Sequence, residues 1–213
     1  MDWEKARYLL VEQQIRPWNV LDSKVLDRVL NTRREDFVPA DKKELAFVDV
    51  ELPLGNGQLM LAPKVEARLL QEIGLKTSDK VLIVGAGTAY LAALAAGLCA
   101  QVVVIEADTK QAEFANGALK AAGIKNVSIE VGGGLSSKQG PFNAIIAAAS
   151  FESMPKELSE QLVSGGRLIT ILGEDPIMHA TVMTKVGNGA NLERQVFDYN
   201  LPRAQVSAIQ FSF

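Results

Sequence analysis

Five residues in the middle of the chain have the types and spacing to hold a nucleotide. Gly85, Ala86, Gly87 and Thr88 follow directly on an apolar run, Val81 to Val84, and Glu106 ends a second, β-branched run, Val102 to Ile105. Glycines in a tight turn let a ligand approach the backbone because no Cβ stands in the way. A carboxylate at the tip of the second strand can accept hydrogen bonds from both hydroxyls of a ribose. Glu106 stands 21 residues after Gly85, against an interval of roughly 20 for such an acid. A Gly-x-Gly alone signals little; strand, turn, helix, strand and acid in register signal the nucleotide-binding half of a doubly wound sheet. The pattern also suits a parallel α/β unit that binds no nucleotide. A nicotinamide-dependent oxidoreductase is disfavoured, because its fingerprint wants a third glycine where Tyr90 stands.

The elements that would position these residues can be read along the chain. Tyr8, Leu9, Val11 and Ile15 among charges predict a helix over 3–15 that ends at Pro17. Asp22 or Ser23 can cap a second helix with Val25, Leu26, Val29 and Leu30 on its apolar face. A short helical turn is expected over 42–46, then an extended or loop-like stretch over 48–62. Pro63 suits the first turn of a helix carrying Val65, Leu69, Leu70 and Ile73, ended by Gly74. After the nucleotide-type unit come a helix over 109–122, a strand over 127–131, the triplet Gly132-Gly133-Gly134, a strand over 144–148 and a helix over 156–162. Ser164-Gly165-Gly166 reads as a turn before a strand over 167–172. Alternating runs over 180–186, 192–198 and 205–213 read as β, with Asn188-Gly189 as a hairpin turn. We expect a single domain over 1–213, with N-terminal helices and a loop over 1–75 and a sheet core with C-terminal strands over 76–213.

Composition narrows the function classes. The chain has 213 residues, 48% hydrophobic and 22% charged, which is an ordinary globular balance. A net charge of −3 offers no electrostatic footprint for nucleic acid or an anionic membrane. Arg33-Arg34 and Lys42-Lys43 are short basic pairs interleaved with acids and read as solvated surface. Cys99, the only cysteine, excludes a disulfide within the chain and reads as inert core. His179, the only histidine, excludes a multi-histidine metal site. The first residues lack the basic-then-apolar pattern of a signal peptide, and no apolar run is long enough for a transmembrane helix. A reducing, cytoplasmic setting is expected. Trp3 and Trp18 read as packing anchors of the N-terminal helices. Asp49, Glu51 and Lys64 read as surface charges, and Gln58 as the polar loop residue best suited to a ligand contact.

Several segments together carry a resemblance. Glu12-Gln13-Gln14-Ile15-Arg16, Asp36-Phe37-Val38-Pro39, Leu45-Ala46-Phe47, the loop Leu52-Pro53-Leu54-Gly55-Asn56-Gly57-Gln58, Ala62-Pro63, Pro141 to Ile146 and Gly165-Gly166-Arg167-Leu168 make the chain similar, nearly end to end, to the protein-L-isoaspartate (D-aspartate) O-methyltransferases. The resemblance implies an α/β, Rossmann-like S-adenosylmethionine-dependent methyltransferase fold: a doubly wound, mostly parallel seven-stranded sheet with an N-terminal helical cap and a β-rich C-terminus. It implies S-adenosylmethionine at the carboxyl ends of the central strands. Gly85, Ala86, Gly87 and Thr88 would line its methionine part, Glu106 would take the ribose, and Gly132, Gly133 and Gly134 would reach the adenine. The loop Gly55, Asn56, Gly57 and Gln58 would shape the entry for an isoaspartyl peptide, and no metal is implied. The chain departs from the family pattern where an acid is replaced by Ile83, by Gly133 and by Asn143, a glycine by Ala89, and the active-site serine by Leu61. A hydrogen bond to a charged group contributes about 1.5–3 kcal/mol, so the departures open a second reading. In it the chain is a degenerate member with weak or no isoaspartyl activity, acting on another acceptor or as a non-catalytic binding protein.

Overall fold

In the computed structural model, described here for residues 2–55, 57–85, 87–187 and 191–204, the chain opens with helix α1 (Trp3–Leu10). It continues through a π-turn (Val11–Ile15) and a 3-10 turn (Arg16–Trp18), so Pro17 lies inside the helical stretch and does not end it. The Asp22 carboxylate accepts from the backbone N–H of Lys24 and Val25 and caps α2 (Ser23–Asn31). The stretch expected to be extended or loop-like folds as a hairpin, β1 (Leu52–Gly55) and β2 (Gln58–Met60). Helix α3 (Pro63–Ile73) begins on its proline and ends on Gly74, whose φ of 57° is the left-handed conformation glycine adopts without strain.

The sheet follows: β3 (Lys80–Val84), α4 (Tyr90–Ala96), β4 (Gln101–Glu106), α5 (Thr109–Ala121), β5 (Val127–Val131), β6 (Phe142–Phe151), α6 (Lys156–Glu160), β7 (Leu162–Glu174), β8 (Ile177–Thr184) and β9 (Leu192–Asp198). Strand order is β5-β4-β3-β6-β7-β8-β9. The first five are parallel; β8 and β9 run antiparallel at one edge. Because β6 returns to the opposite side of β3, the order in which strands are added reverses there while the two strands stay parallel, and a crevice opens beyond their carboxyl ends.

The apolar runs are continuous because both faces of the sheet are buried. Val81, Ile83, Val102, Val104, Ala144 and Ile146 face one cluster, which also holds residues of α2, α3, α4 and α5. Leu82, Val103, Ile105, Ile145 and Ala147 face the other, where Leu158 of α6 packs.

Several expectations are corrected. Ser164-Gly165-Gly166 does not precede a strand; it is a bulge inside β7, which begins at Leu162, where α6 was expected to end. Phe142 pairs with Leu162 and Ala144 with Arg167, so the bulge absorbs the extra residues. Trp18 stacks edge-on against Phe197 and Tyr199, 5.2 and 6.0 Å away, and so anchors the C-terminal edge and not the N-terminal helices alone. Arg34, read as solvated, is fully buried. Asn188-Gly189 and the run over 205–213 lie outside the described residues. No helix among the described residues is long and apolar enough to cross a membrane.

Candidate active site

The carboxyl ends of β3, β4 and β6 open into a cavity of about 210 Å3, large enough for an organic ligand rather than a lone ion. Backbone bonds extend the ladder past the strand ends. Gly85 N–H donates to Ile105 O and Gly132 N–H to Glu106 O, both at 2.9 Å, which fixes both glycine turns beside the acid. Gly85, Gly87 and Gly134 have φ of 90°, 50° and 121°, conformations closed to most side chains. A Cβ added to Gly85 would meet nothing within 4 Å, so the space above it is open to a ligand.

Glu106 is 2% exposed and lines the cavity. Its Oε1 accepts from Asp108 N–H and from Gln58 Nε2, each at 2.9 Å. Asp108 caps α5 by accepting from Gln111 N–H at 3.0 Å, and the Gln111 amide donates to Gly87 O. The acid, the first turn of α5 and the glycine turn are therefore one braced unit. Thr88 and Tyr90, 2% and 1% exposed, also line the cavity, and their hydroxyls have no hydrogen-bond partner among the described residues. Buried hydroxyls left without partners are costly unless a ligand or water satisfies them.

The other wall comes from the segment joining β2 to α3. Leu59, Met60, Leu61 and Glu66 line it. Leu61 is 6% exposed and offers no side-chain hydrogen bond. Glu66 forms a buried ion pair with Arg34, whose NH2 group donates to Leu61 O at 2.7 Å and whose guanidinium lies 4.7 Å over the Tyr90 ring. Burial pushes the Glu66 carboxyl up, to about 7, with Arg34 pulling it back down. A third side is closed by the chain after β9: Ser150 N–H donates to Pro202 O, and Ala204 N–H to Ser150 O, at 3.0 and 3.1 Å.

Of the residues expected at the site, Gly85, Gly87, Thr88, Glu106, Gly132, Gly134, Gly57, Gln58 and Leu61 line this cavity. Gly55, opposite Gln58 across the hairpin, and Gly133 do not line it; both are solvent-exposed. Ala86 and Asn56 lie outside the described residues. Ile83 is core, and the Asn143 side chain accepts from Lys80 N–H at the opposite end of β3, away from the crevice.

The sequence marks neither Tyr90 nor Glu66 as a site residue: Tyr90 stands where the nicotinamide fingerprint wants a glycine, and the only signal at Glu66 is an acid set between the apolar positions Val65 and Ala67. The remaining candidates are engaged elsewhere. Lys64 pairs with Asp49 at 2.6 Å, Tyr199 donates to Glu51 at 2.6 Å, and His179 meets Asp198 at 2.7 Å between β8 and β9. Burial pushes the Cys99 thiol up to about 12, as for an unreactive core cysteine. Among the described residues no group of three His, Cys, Asp or Glu side chains could hold a metal ion.

Comparison with known proteins adds sequence and fold. Residues 5–198 match the family described as protein-L-isoaspartate(D-aspartate) O-methyltransferase. A protein-L-isoaspartate O-methyltransferase of Petrotoga mobilis is 33% identical over 192 residues, covering 89% of this chain and 90% of that protein. One of Myxococcus xanthus is 36% identical over 174 residues, covering 81% and 79%. A Plasmodium falciparum crystal structure described as a protein-L-isoaspartate O-methyltransferase in complex with S-adenosyl-L-homocysteine superimposes with a TM-score of 0.78 at 21% identity over 93% of this chain and 97% of that one.

Proposed function

The chain belongs to the protein-L-isoaspartate(D-aspartate) O-methyltransferase family, and from that premise we propose that it transfers the methyl group of S-adenosylmethionine to the carboxylate of isoaspartyl residues in proteins. The observation that carries the reading is the buried Glu106 carboxylate, set beside a left-handed glycine turn and two buried hydroxyls without partners among the described residues, in one cavity at the sheet's switch point. That donor and acceptor set suits a nucleoside with a polar tail.

The residues present fit the cofactor. Glu106 would accept from the ribose hydroxyls. Gly85, Gly87 and Thr88 would receive the methionine part, and Gly132 and Gly134 would border the base. The bound cofactor supplies a methyl group already activated by a sulfonium leaving group. An isoaspartyl carboxylate, with an ordinary pKa near 4, is ionised at neutral pH. The protein therefore needs no general base, and His179, remote from the cavity, takes no part. What the chain must do is hold one carboxylate oxygen in line with the methyl group and keep water out. Met60, Leu61 and Leu91 exclude water, and the hairpin bearing Gln58 forms the entry wall.

Incubation of the purified protein with methyl-labelled S-adenosylmethionine and an isoaspartyl peptide tests the reading. Label should pass to the peptide in a base-labile ester, and the same peptide with a normal aspartyl residue should take up none. Absence of transfer above background at high enzyme concentration rejects it.

A further inference from the structure

The cavity wall opposite the glycine turn hangs on one side chain that does not itself reach the cavity. Arg34 pairs through NH1 with Oε2 of Glu66, donates through NH2 to the Leu61 carbonyl, and lies over the Tyr90 ring. All three of those residues line the cavity. Arg34 is 1% exposed and Glu66 3%, so one buried positive charge stands directly behind one buried negative charge, and the negative charge faces the ligand space.

Among the described residues, Arg34 is the cation that pairs with Glu66 and whose charge acts on it. Among the described residues, the titratable groups around it are Arg34 from the turn Arg34–Asp36, Tyr90 from α4, Glu106 from β4 across the cavity, and Arg203 from the chain after β9. Burial raises the Tyr90 phenol, which keeps its proton. Arg203 is solvent-exposed. Beyond Arg34, Arg7 of α1 is committed to Glu35 at 2.7 Å.

We propose that Glu66 is an acceptor-side residue: an isoaspartyl carboxylate docks against the wall of Leu61, Glu66 and Tyr90 and shares with Glu66 the single positive charge of Arg34, so that docking brings one proton onto Glu66. The inference rests on the methyltransferase reading in taking a carboxylate as the acceptor. Its physical basis is that two carboxylates confined to one buried site with one cation do not both stay ionised. Burial already favours the protonated form of Glu66. Once protonated, Glu66 donates a hydrogen bond to the acceptor carboxylate, a donor that Leu61 cannot supply. On transfer, an acceptor oxygen uses a lone pair to form the bond to the methyl carbon as the carbon–sulfur bond breaks, its electron pair remaining on sulfur. The ester is uncharged, so Glu66 returns its proton to solvent and regains Arg34 as its partner.

The test is calorimetric titration of the wild-type protein, saturated with S-adenosylhomocysteine, with an isoaspartyl peptide at pH 8 in buffers of differing ionisation enthalpy. Uptake of about one proton per peptide is expected, with affinity falling about tenfold per pH unit above the Glu66 midpoint. Glu66→Gln should bind the peptide with no proton uptake and a flat pH profile, because its amide donates at every pH. Glu66→Ala should bind at least tenfold more weakly, while both variants keep wild-type affinity for S-adenosylhomocysteine. Peptide binding without proton uptake overturns the inference, as does equal loss of binding in the Gln and Ala variants, or no peptide binding at all. The wild-type titration decides the matter even where a variant does not fold. Methyl transfer without proton uptake leaves the proposed function standing and removes the inference; peptide binding with uptake but no transfer rejects the proposed function and leaves Glu66 as a peptide-binding contact only.

Discussion

Gln58 Nε2 donates to Oε1 of Glu106 at 2.9 Å, joining the β1–β2 hairpin to the acid at the end of β4 across 48 residues of sequence. The residue read as the hairpin's ligand contact and the residue read as the ribose acceptor thus meet each other. A nucleoside that takes Glu106 must share or replace the Gln58 contact, which makes the hairpin sensitive to what occupies the cavity.

Replacing Glu106 with Gln should weaken S-adenosylhomocysteine about 10- to 100-fold, since a hydrogen bond to a charged group contributes about 1.5–3 kcal/mol and each 1.4 kcal/mol is about tenfold. Gln58→Ala, which removes only the neutral partner, should change that affinity less than tenfold. Isothermal titration calorimetry of both variants checks the order; an equal loss would place Gln58 on the ligand itself.

Ala89 should gain stability as glycine. It precedes α4 with φ of 65° and is fully buried, a conformation that costs a Cβ-bearing residue about 1–2 kcal/mol. In a chain of 213 residues about 1 kcal/mol corresponds to roughly 2–4 °C. Thermal melting of Ala89→Gly should show a rise in Tm of that order, and a fall would mean that the methyl group's packing outweighs the strain.

Arg34→Leu should destabilise by about 3–5 kcal/mol, because it strands the Glu66 carboxylate in the core. Adding Glu66→Leu to it should recover most of the loss, since a buried ion pair exchanged for apolar side chains is often close to neutral. Denaturant unfolding of the two single variants and the double variant supplies the cycle.

The Glu66 carboxyl is raised from 4.5 to about 7 by burial, against the pull of Arg34. Between those values the folded protein holds a proton that the unfolded chain has released, so folding stability declines as pH rises through this window and levels off above it. Glu66→Gln lacks this decline. The stability of the variant relative to wild type should therefore rise from pH 4.5 to about 7 and stay constant beyond, in urea titrations over that range.

His179→Ala should leave methyl transfer unchanged. His179 and Asp198 form a partly exposed pair at the sheet edge, where such contacts contribute about 0–1 kcal/mol. A loss of transfer beyond threefold in the labelled-cofactor assay would bring this edge into the reaction.

The sequence alone determined the order of elements from β3 to β9, the glycine turn and its acid. Those signals are local: a β-branched run, a proline at a helix start, and glycines where φ is positive each act within a few residues of where they are read. It also determined the family, because Glu12 to Arg16 and the loop 52–58 are distinctive words wherever they fold. It misplaced Ser164-Gly165-Gly166 because a bulge is defined by its partner strand, and the register of Phe142 and Ala144 against β7 exists only in the sheet. It mistook Arg34 for surface because an arginine beside another arginine carries no mark of burial. Only tertiary structure brings Arg34 to Glu66, 32 residues on, and sets both behind the Leu61 carbonyl and the Tyr90 ring. The neutralisation that lets such a charge leave water is a long-range contact, and no local pattern encodes it.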